Sequence, residues 1–194
     1  MKATRRTTSK STYVALLRGI NVGGHKAVKM DRLRKAFEAL GFEHVTTYVQ
    51  SGNVVFNAST QASGNLSKKI EEKVLREFAI SVSVIVKTSE EVSEVVRNNP
   101  FLRERGIDPS KLHVTFLSHA PEKNALKMLD AIAANPDQFR SSGKEIYLYC
   151  PNGYGKTKLS NNALEKVLSV RATTRNWKTL NQLHEMTLGN QPSH

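Results

Sequence analysis

The stretch that decides the fold runs from residue 12 to residue 56 and reads TYVALLRGINVGGHKAVKMDRLRKAFEALGFEHVTTYVQSGNVVF. It opens with the β-rich run Thr12–Leu17, which is followed by a glycine-bearing stretch. A helix is indicated next, because apolar residues recur at helical spacing before Gly41, namely Leu33, Ala36, Phe37 and Leu40. The first elements are therefore a strand, a loop and an amphipathic helix.

The rest of the first half completes one unit. The β-rich runs Val45–Val49 and Asn53–Phe56 are separated by Ser51-Gly52, a pair typical of a hairpin turn. A second helix is indicated by apolar residues four apart: Leu66, Ile70, Val74 and Phe78. Val82–Val86 is a fourth strand. The predicted order is βαββαβ.

The same order returns after a connector. Thr88 and Glu91 have capping-box spacing and predict a short helix that ends at Asn98, before Pro100. Residues 100–110 are the connector. The later strands are predicted at Leu112–Leu117, Gln138–Arg140, Glu145–Cys150 and Val170–Thr173, with a hairpin at Ser142-Gly143. The later helix faces carry Ala125, Met128, Leu129 and Ile132, then Leu164, Val167 and Leu168, then Trp177, Leu180 and Leu183.

We therefore expect an α+β protein made of two ferredoxin-like βαββαβ units in tandem, with an added C-terminal helix. The predicted divisions are a flexible basic arm at 1–11, the first unit at 12–88, a helix and connector at 89–110, the second unit with the C-terminal helix at 111–188, and a tail at 189–194.

Positive charge concentrates at the two ends of the chain. The 194 residues include 29 Lys+Arg against 17 Asp+Glu, a net charge of +12. Residues 1–50 hold ten basic and three acidic side chains, residues 51–139 eleven of each, and residues 140–194 eight and three. Such a field favours anionic partners such as nucleic acid or phosphorylated metabolites. A solvated tail that only maintains solubility is the alternative.

The composition also limits the cellular compartment that we expect and the kinds of metal or disulfide site that the chain can form. The longest apolar run, Tyr13–Leu17, is too short to cross a membrane, and Arg18 interrupts it before a signal-peptide core forms. A single cysteine, Cys150, excludes an intramolecular disulfide and a multi-thiolate zinc site, and the histidines lack metal-ligand spacing. We expect a cytoplasmic protein without a cofactor or metal and leave its oligomeric state open.

The topology predicts one loop site in the first unit. Right-handed crossovers place the loop Arg18–Lys29 and the hairpin Gln50–Asn53 at the same end of the sheet. Gly19, Gly23 and Gly24 let backbone N–H groups turn toward a ligand, and the loop leads into a helix N-terminus that favours an anion. A long turn that needs positive φ is the alternative, and the glycine spacing does not match a dinucleotide fingerprint.

A second loop site is predicted in the second unit. There the loop Pro151–Lys158 and the segment Thr174–Trp177 share one end of the sheet. The sequence GYGKTK at residues 153–158 resembles a phosphate-binding P-loop, but Cys150 stands where that motif requires its first glycine. A looser anion contact through Lys156 and Lys158 remains open, and Trp177 is either a core anchor or a base-stacking residue.

Four motifs in order closely resemble the bacterial domain of unknown function 1697 family. They are YVALLRGINVGG at 13–24, TYVQSGNVVF at 47–56, GYGKTKL at 153–159 and ATTRNW at 172–177. Thr157 stands where family members often carry Ser, and it keeps the hydroxyl. The resemblance spans residues 12 to 188 and implies paired ferredoxin-like units, but it implies no activity.

The leading hypothesis is a binding module for a phosphate-bearing ligand, either nucleic acid or nucleotide. The candidate residues of the first site are Arg18, Gly19, Asn21, Gly23, Gly24, Lys26, Gln50, Ser51 and Asn53. Those of the second site are Lys156, Lys158, Thr174, Arg175, Asn176 and Trp177. One alternative is an enzyme for a small anionic substrate, in which Arg18 or Arg175 stabilises developing negative charge, although no nucleophile or base is evident. The other alternative is a protein-interaction scaffold.

Overall fold

The computed structural model describes residues 9–22, 27–133 and 135–190. The chain divides into two compact units, residues 1–90 with 185–194 and residues 91–184. Each unit holds one four-stranded antiparallel sheet. None of the helices in these described stretches is both long and apolar enough to cross a membrane.

The first unit has the predicted βαββαβ order. Its elements are β1 (Lys10–Leu17), α1 (Met30–Glu38), β2 (Glu43–Tyr48), β3 (Asn53–Ser59), α2 (Ser63–Phe78) and β4 (Val84–Thr88). The sheet order is β2-β3-β1-β4, the ferredoxin-like arrangement in which β1 lies between its two antiparallel partners. The prediction for this half is confirmed.

The core of the first unit lies between the sheet and its two helices. Tyr13, Ala15 and Leu17 of β1 alternate onto the core face, as the two-residue period of a strand requires. The apolar faces of α1 and α2 pack onto them, with Phe37 and Ile70 almost fully buried. Because β1 pairs with both β3 and β4, the sheet sets the position from which the loop after β1 begins.

The second unit repeats the order. The elements from α3 onward are α3 (Ser89–Arg97), β5 (Leu112–Leu117), α4 (Lys123–Asp130), β6 (Gln138–Ser142), β7 (Glu145–Tyr149), α5 (Asn161–Leu168), β8 (Ala172–Asn176) and α6 (Trp177–Gly189). The first two residues of α3 and the last five of α6 are assigned to the first unit. The sheet order is β6-β7-β5-β8. Two short 3-10 turns, Pro100–Arg103 and Pro109–Lys111, occupy the predicted connector. The α+β class and the C-terminal helix α6 are confirmed.

Several details differ from the sequence prediction. The last strand lies at Ala172–Asn176 rather than Val170–Thr173, because β5 pairs with it as far as Asn176. Helix α4 ends at Asp130, before Ile132. Met128, predicted on the core face of α4, is 59% exposed. Residues Lys10 and Ser11, predicted in the arm, belong to β1, and residues 1–8 of that arm lie outside the described residues.

Candidate functional site

The loop after β1 and the β2–β3 hairpin meet at one end of the first sheet, as predicted. The Leu17 N–H donates to the Gly52 carbonyl at 2.8 Å, and the Arg18 N–H donates to the Ser83 carbonyl at 2.9 Å. The exit of β1 is thus held between the hairpin and the segment before β4. Arg18 itself is half-buried, and Gly19 beside it is exposed with φ +68°.

Gly52 allows this close approach. Its φ is +69°, and a Cβ at this position would lie 2.9 Å from the Leu17 Cβ and 3.2 Å from the Ile20 Cβ. A side chain there would be strained in φ and would collide with the strand. The glycine is therefore required by packing as well as by the turn.

Asn21 ties the two ends of the loop to the hairpin. Its Nδ2 donates to the Val28 carbonyl and to the Gln50 carbonyl, both at 2.9 Å, and its Oδ1 accepts from the Val28 N–H at 2.7 Å. Asn21 has φ +56°, a conformation that Asn tolerates better than most residues. The side-chain amide of Asn21 therefore makes three hydrogen bonds that hold the loop in shape.

Asn53 closes the hairpin from inside. It is fully buried, and its Nδ2 donates to the Tyr48 carbonyl at 3.2 Å and to the Ser51 Oγ at 2.9 Å. Asn53 and Ser51, both predicted to contact a ligand, bond to each other within the hairpin, and neither lines the cleft described next. Gln50, by contrast, is exposed. Gly23, Gly24 and Lys26 of the predicted site lie outside the described residues.

A cleft of about 680 Å³ opens where the loop, the hairpin, the start of α1 and the end of α2 meet. The described residues that line it are Asn21, Ala27, Val28, Lys29, Met30, Asp31, Arg32, Gln50 and Phe78. We call it the α1 cleft. Of the predicted residues of the first site, it contains Asn21 and Gln50.

The start of α1 faces this cleft with open amides. The N-cap residue Lys29 makes no side-chain cap, and the first intrahelical bond donated in this turn comes from the Leu33 N–H to the Lys29 carbonyl. The N–H groups of Met30, Asp31 and Arg32 therefore lack helical partners. Together with the helix dipole, they make this end attractive to an anion.

Two cations and one acid surround these amides. Arg32 contacts Glu77 on α2 at 3.7 Å, and its guanidinium carbon lies 5.2 Å from the centre of the Phe78 ring. Lys29 is exposed and forms no ion pair with any residue in the described ranges. Asp31 adds one opposing charge in the first turn.

Sequence reasoning missed Lys29, Arg32 and Phe78. A signal for the two cations was available, because positive side chains at a helix N-terminus oppose the dipole and are locally unfavourable. Phe78 had no such signal, because its periodicity marks it only as a core residue of α2.

In the second unit, the predicted loop also meets β8. The Tyr154 hydroxyl donates to the Thr174 Oγ1 at 3.0 Å, and the Thr174 Oγ1 donates to the Asn161 Oδ1 at 2.7 Å. The hydroxyls of Thr115 and Thr174 are 2.7 Å apart. The ring of His113 stacks on Tyr154 at 4.9 Å between centroids. Thr174 therefore serves to tie the loop to the sheet.

The other predicted residues of the second site separate into buried and exposed groups. Arg175 is buried in β8, donating to the Thr173 Oγ1 at 2.8 Å and the Thr174 carbonyl at 2.9 Å, and burial lowers the pKa of its guanidinium to about 10. The Asn176 Oδ1 accepts from the Thr179 N–H at 2.7 Å and so caps α6. Trp177 is 8% exposed. Lys156 and Lys158 are exposed.

The titratable groups give no sign of metal or thiol chemistry in the described residues. No three His, Cys, Asp or Glu side chains of that part of the chain are grouped so that they could hold a metal ion. Cys150 is buried, and burial raises the pKa of its thiol to about 11, which keeps it protonated and unreactive at neutral pH.

Comparison with known proteins agrees with this fold. A family model described as "Protein of unknown function (DUF1697)" matches residues 11–147. A conserved bacterial protein, SP0830 from Streptococcus pneumoniae, has a similar structure, with a TM-score of 0.69 and 24% sequence identity over 92% of this chain and 99% of that chain. No curated protein matches the sequence.

Proposed function

The chain belongs to the family described as "Protein of unknown function (DUF1697)", and we propose on physical grounds that it binds a phosphate-bearing ligand in the α1 cleft. In this proposal the amides of Met30, Asp31 and Arg32 bind the phosphate oxygens. Lys29 and Arg32 supply the positive charge. Asn21 holds the loop and hairpin in the shape that leaves the cleft open.

One observation carries the proposal: the cations Lys29 and Arg32 lie at the end of α1 where the dipole is already positive, and both line the same cleft as the open amides. Both cations oppose the helix dipole, and the carboxylates near them are Asp31 in the first turn and Glu77, which is 3.7 Å from Arg32. A bound phosphate turns the same three features into attractive interactions, since charge-assisted N–H···O bonds are about twice as strong as neutral ones.

The size of the cleft favours a small ligand. A volume of about 680 Å³ lies within the range of roughly 300 to 1,000 Å³ usual for small-molecule sites. Ser51 and Asn53 have a supporting role in this proposal, because their hydrogen bonds hold the hairpin in shape. Lys156 and Lys158, exposed in the second unit, are at most a weak second anion contact.

Calorimetric titration with ribose 5-phosphate tests the proposal. We expect saturable binding that Lys29→Ala weakens roughly fivefold or more, because one charge-assisted contact is lost. Lys178→Ala is the matched control, because this lysine is exposed in α6 and is not a lining residue of the cleft. Absence of binding at low salt, or equal weakening by both substitutions, would contradict the proposal.

The salt dependence separates a small ligand from nucleic acid. A site for a single phosphate group loses little affinity between 50 and 200 mM salt, whereas a nucleic-acid surface that neutralises many phosphates loses orders of magnitude. We expect the shallow dependence for ribose 5-phosphate and no tighter binding of a ten-nucleotide RNA. A steep slope with tight RNA binding would favour the nucleic-acid alternative.

A further inference from the structure

We propose that the ligand of the α1 cleft is a nucleoside monophosphate, whose planar base binds against Phe78 and Arg32. The inference rests on the proposed function, since the phosphate of the same ligand occupies the start of α1.

Phe78 and Arg32 are neighbours in the lining of the cleft. Phe78, the last residue of α2, lines the cleft and is half-buried, and it packs partly against the core of the first unit. The Arg32 guanidinium carbon lies 5.2 Å from the Phe78 ring centre. Phenyl rings and guanidinium planes are the two kinds of surface on which proteins stack nucleobases.

Arg32 is held in this position from α2. Its Nη2 is 3.5 Å from the Glu77 carbonyl oxygen and 3.7 Å from the Glu77 Oε1. The Arg32 side chain is 59% exposed, so the guanidinium beside the ring is accessible to a ligand.

Gln50 supplies polar groups on the hairpin side. Its backbone carbonyl accepts from Asn21. Gln50 is an exposed lining residue of the cleft, and its side-chain amide forms no hydrogen bond with the residues in the described ranges. An amide offers both donors and an acceptor, as the edge of a nucleobase requires. A sugar phosphate alone would contact neither the Gln50 amide nor the Phe78 ring.

The test compares ligands that differ only in the base. We would titrate wild-type protein with ribose 5-phosphate and with each of the four ribonucleoside 5′-monophosphates. Base stacking on an aromatic residue predicts that at least one nucleotide binds roughly tenfold or more tightly than ribose 5-phosphate. Phe78→Leu should reduce this advantage to under about threefold and leave ribose 5-phosphate affinity unchanged.

Two further variants help to distinguish loss of the stacking surface from a general effect of substitution on the protein. Leu75→Ala is the matched control, because Leu75 is exposed on the same helix and is not a lining residue of the cleft. Arg32→Lys keeps the charge but removes the planar group, and it should also reduce the advantage of the nucleotide. It serves as the second test if Phe78→Leu perturbs folding.

The outcomes separate the two proposals. Equal affinity of ribose 5-phosphate and all four nucleotides overturns the inference about the base and leaves phosphate binding intact. Retention of the nucleotide advantage in both Phe78→Leu and Arg32→Lys also overturns it. Absence of binding by every compound overturns the proposed function together with the inference.

Discussion

At the scale of single residues, Gly52 is the position in the candidate site with the least freedom. Its positive φ and the 2.9 Å approach to the Leu17 Cβ act together, whereas Gly19 has φ +68° with nothing within 4 Å of its missing Cβ. Substitutions at these two glycines therefore distinguish the cost of a strained φ from the cost of a steric collision.

We expect Gly52→Ala to destabilise the protein by roughly 2–5 kcal/mol, because a left-handed conformation costs about 1–2 kcal/mol and overpacking about 1–3 kcal/mol. Gly19→Ala, which introduces only the conformational strain, should cost about 1 kcal/mol. Chemical denaturation of both variants measures the difference. Equal losses would mean that the close approach of the hairpin to β1 is not as tight as described.

His113 gives a pH-dependent signal in the second unit. Burial lowers its pKa from the ordinary value near 6.5, while a hydrogen bond to the Lys111 carbonyl opposes that shift. Because the unfolded chain then takes up the proton first, the stabilising contribution is complete above about pH 6.5. It is lost as the pH falls from there toward the lower folded-state pKa.

Accordingly, His113→Phe, which keeps an aromatic ring against Tyr154, should flatten the loss of stability between about pH 7 and pH 5. The slope removed is at most about 1.4 kcal/mol per pH unit. Urea unfolding at several pH values measures it. If the variant and the wild type have parallel pH profiles, the burial of His113 has no part in acid sensitivity.

At the scale of elements, the charge of Asp31 in the first turn of α1 has opposite effects on helix stability and on the proposed phosphate binding. Asp31 is favourable for the helix dipole but lies beside the proposed phosphate position. Removing its charge should therefore act in opposite directions on stability and on binding.

For Asp31→Asn we expect a loss of about 0.3–1 kcal/mol in stability and a gain of roughly two- to tenfold in affinity for ribose 5-phosphate. Glu38→Gln is the control, because Glu38 lies at the other end of α1 and pairs with Arg34. Thermal unfolding and calorimetry provide the two readouts. Weaker phosphate binding by Asp31→Asn would place the anion elsewhere.

The elements also show where sequence reasoning succeeds. Helix α1 and the β2–β3 hairpin were predictable because the residues that end or turn the chain there are local signals. Gly41 follows the helix, and Ser51-Gly52 lies in the turn of the hairpin. Strand β8 was misplaced by two to three residues because no turn residue separates it from α6. Its end is set by pairing with β5, a long-range contact that local pattern does not contain.

At the scale of the whole molecule, the repeated βαββαβ order was readable because hydrophobic periodicity alternates between strand and helix in both halves. The sequence also indicated that the loop after β1 and the hairpin share one end of a sheet. It did not indicate that Asn21 and Asn53 are occupied by hydrogen bonds within the fold, because their partners are backbone carbonyls brought close only by folding.

The two predicted sites also differ in a way that local motifs concealed. In the second unit the motif residues Thr174, Arg175 and Asn176 bond within the fold. In the first unit a cleft remains. Two of its lining residues, Arg32 and Phe78, lie outside the motifs. The sequence motifs therefore contain two residues that line the α1 cleft, Asn21 and Gln50, but not Arg32 or Phe78.

The central claim is that the start of α1 binds phosphate, and amide chemical shifts test it residue by residue. Titration of ¹⁵N-labelled protein with ribose 5-phosphate should give the largest saturable shifts at the N–H groups of Met30, Asp31 and Arg32, because these groups would donate directly to the phosphate oxygens. If these three signals stay unchanged while others, such as Lys156 and Lys158, move, the claim is contradicted.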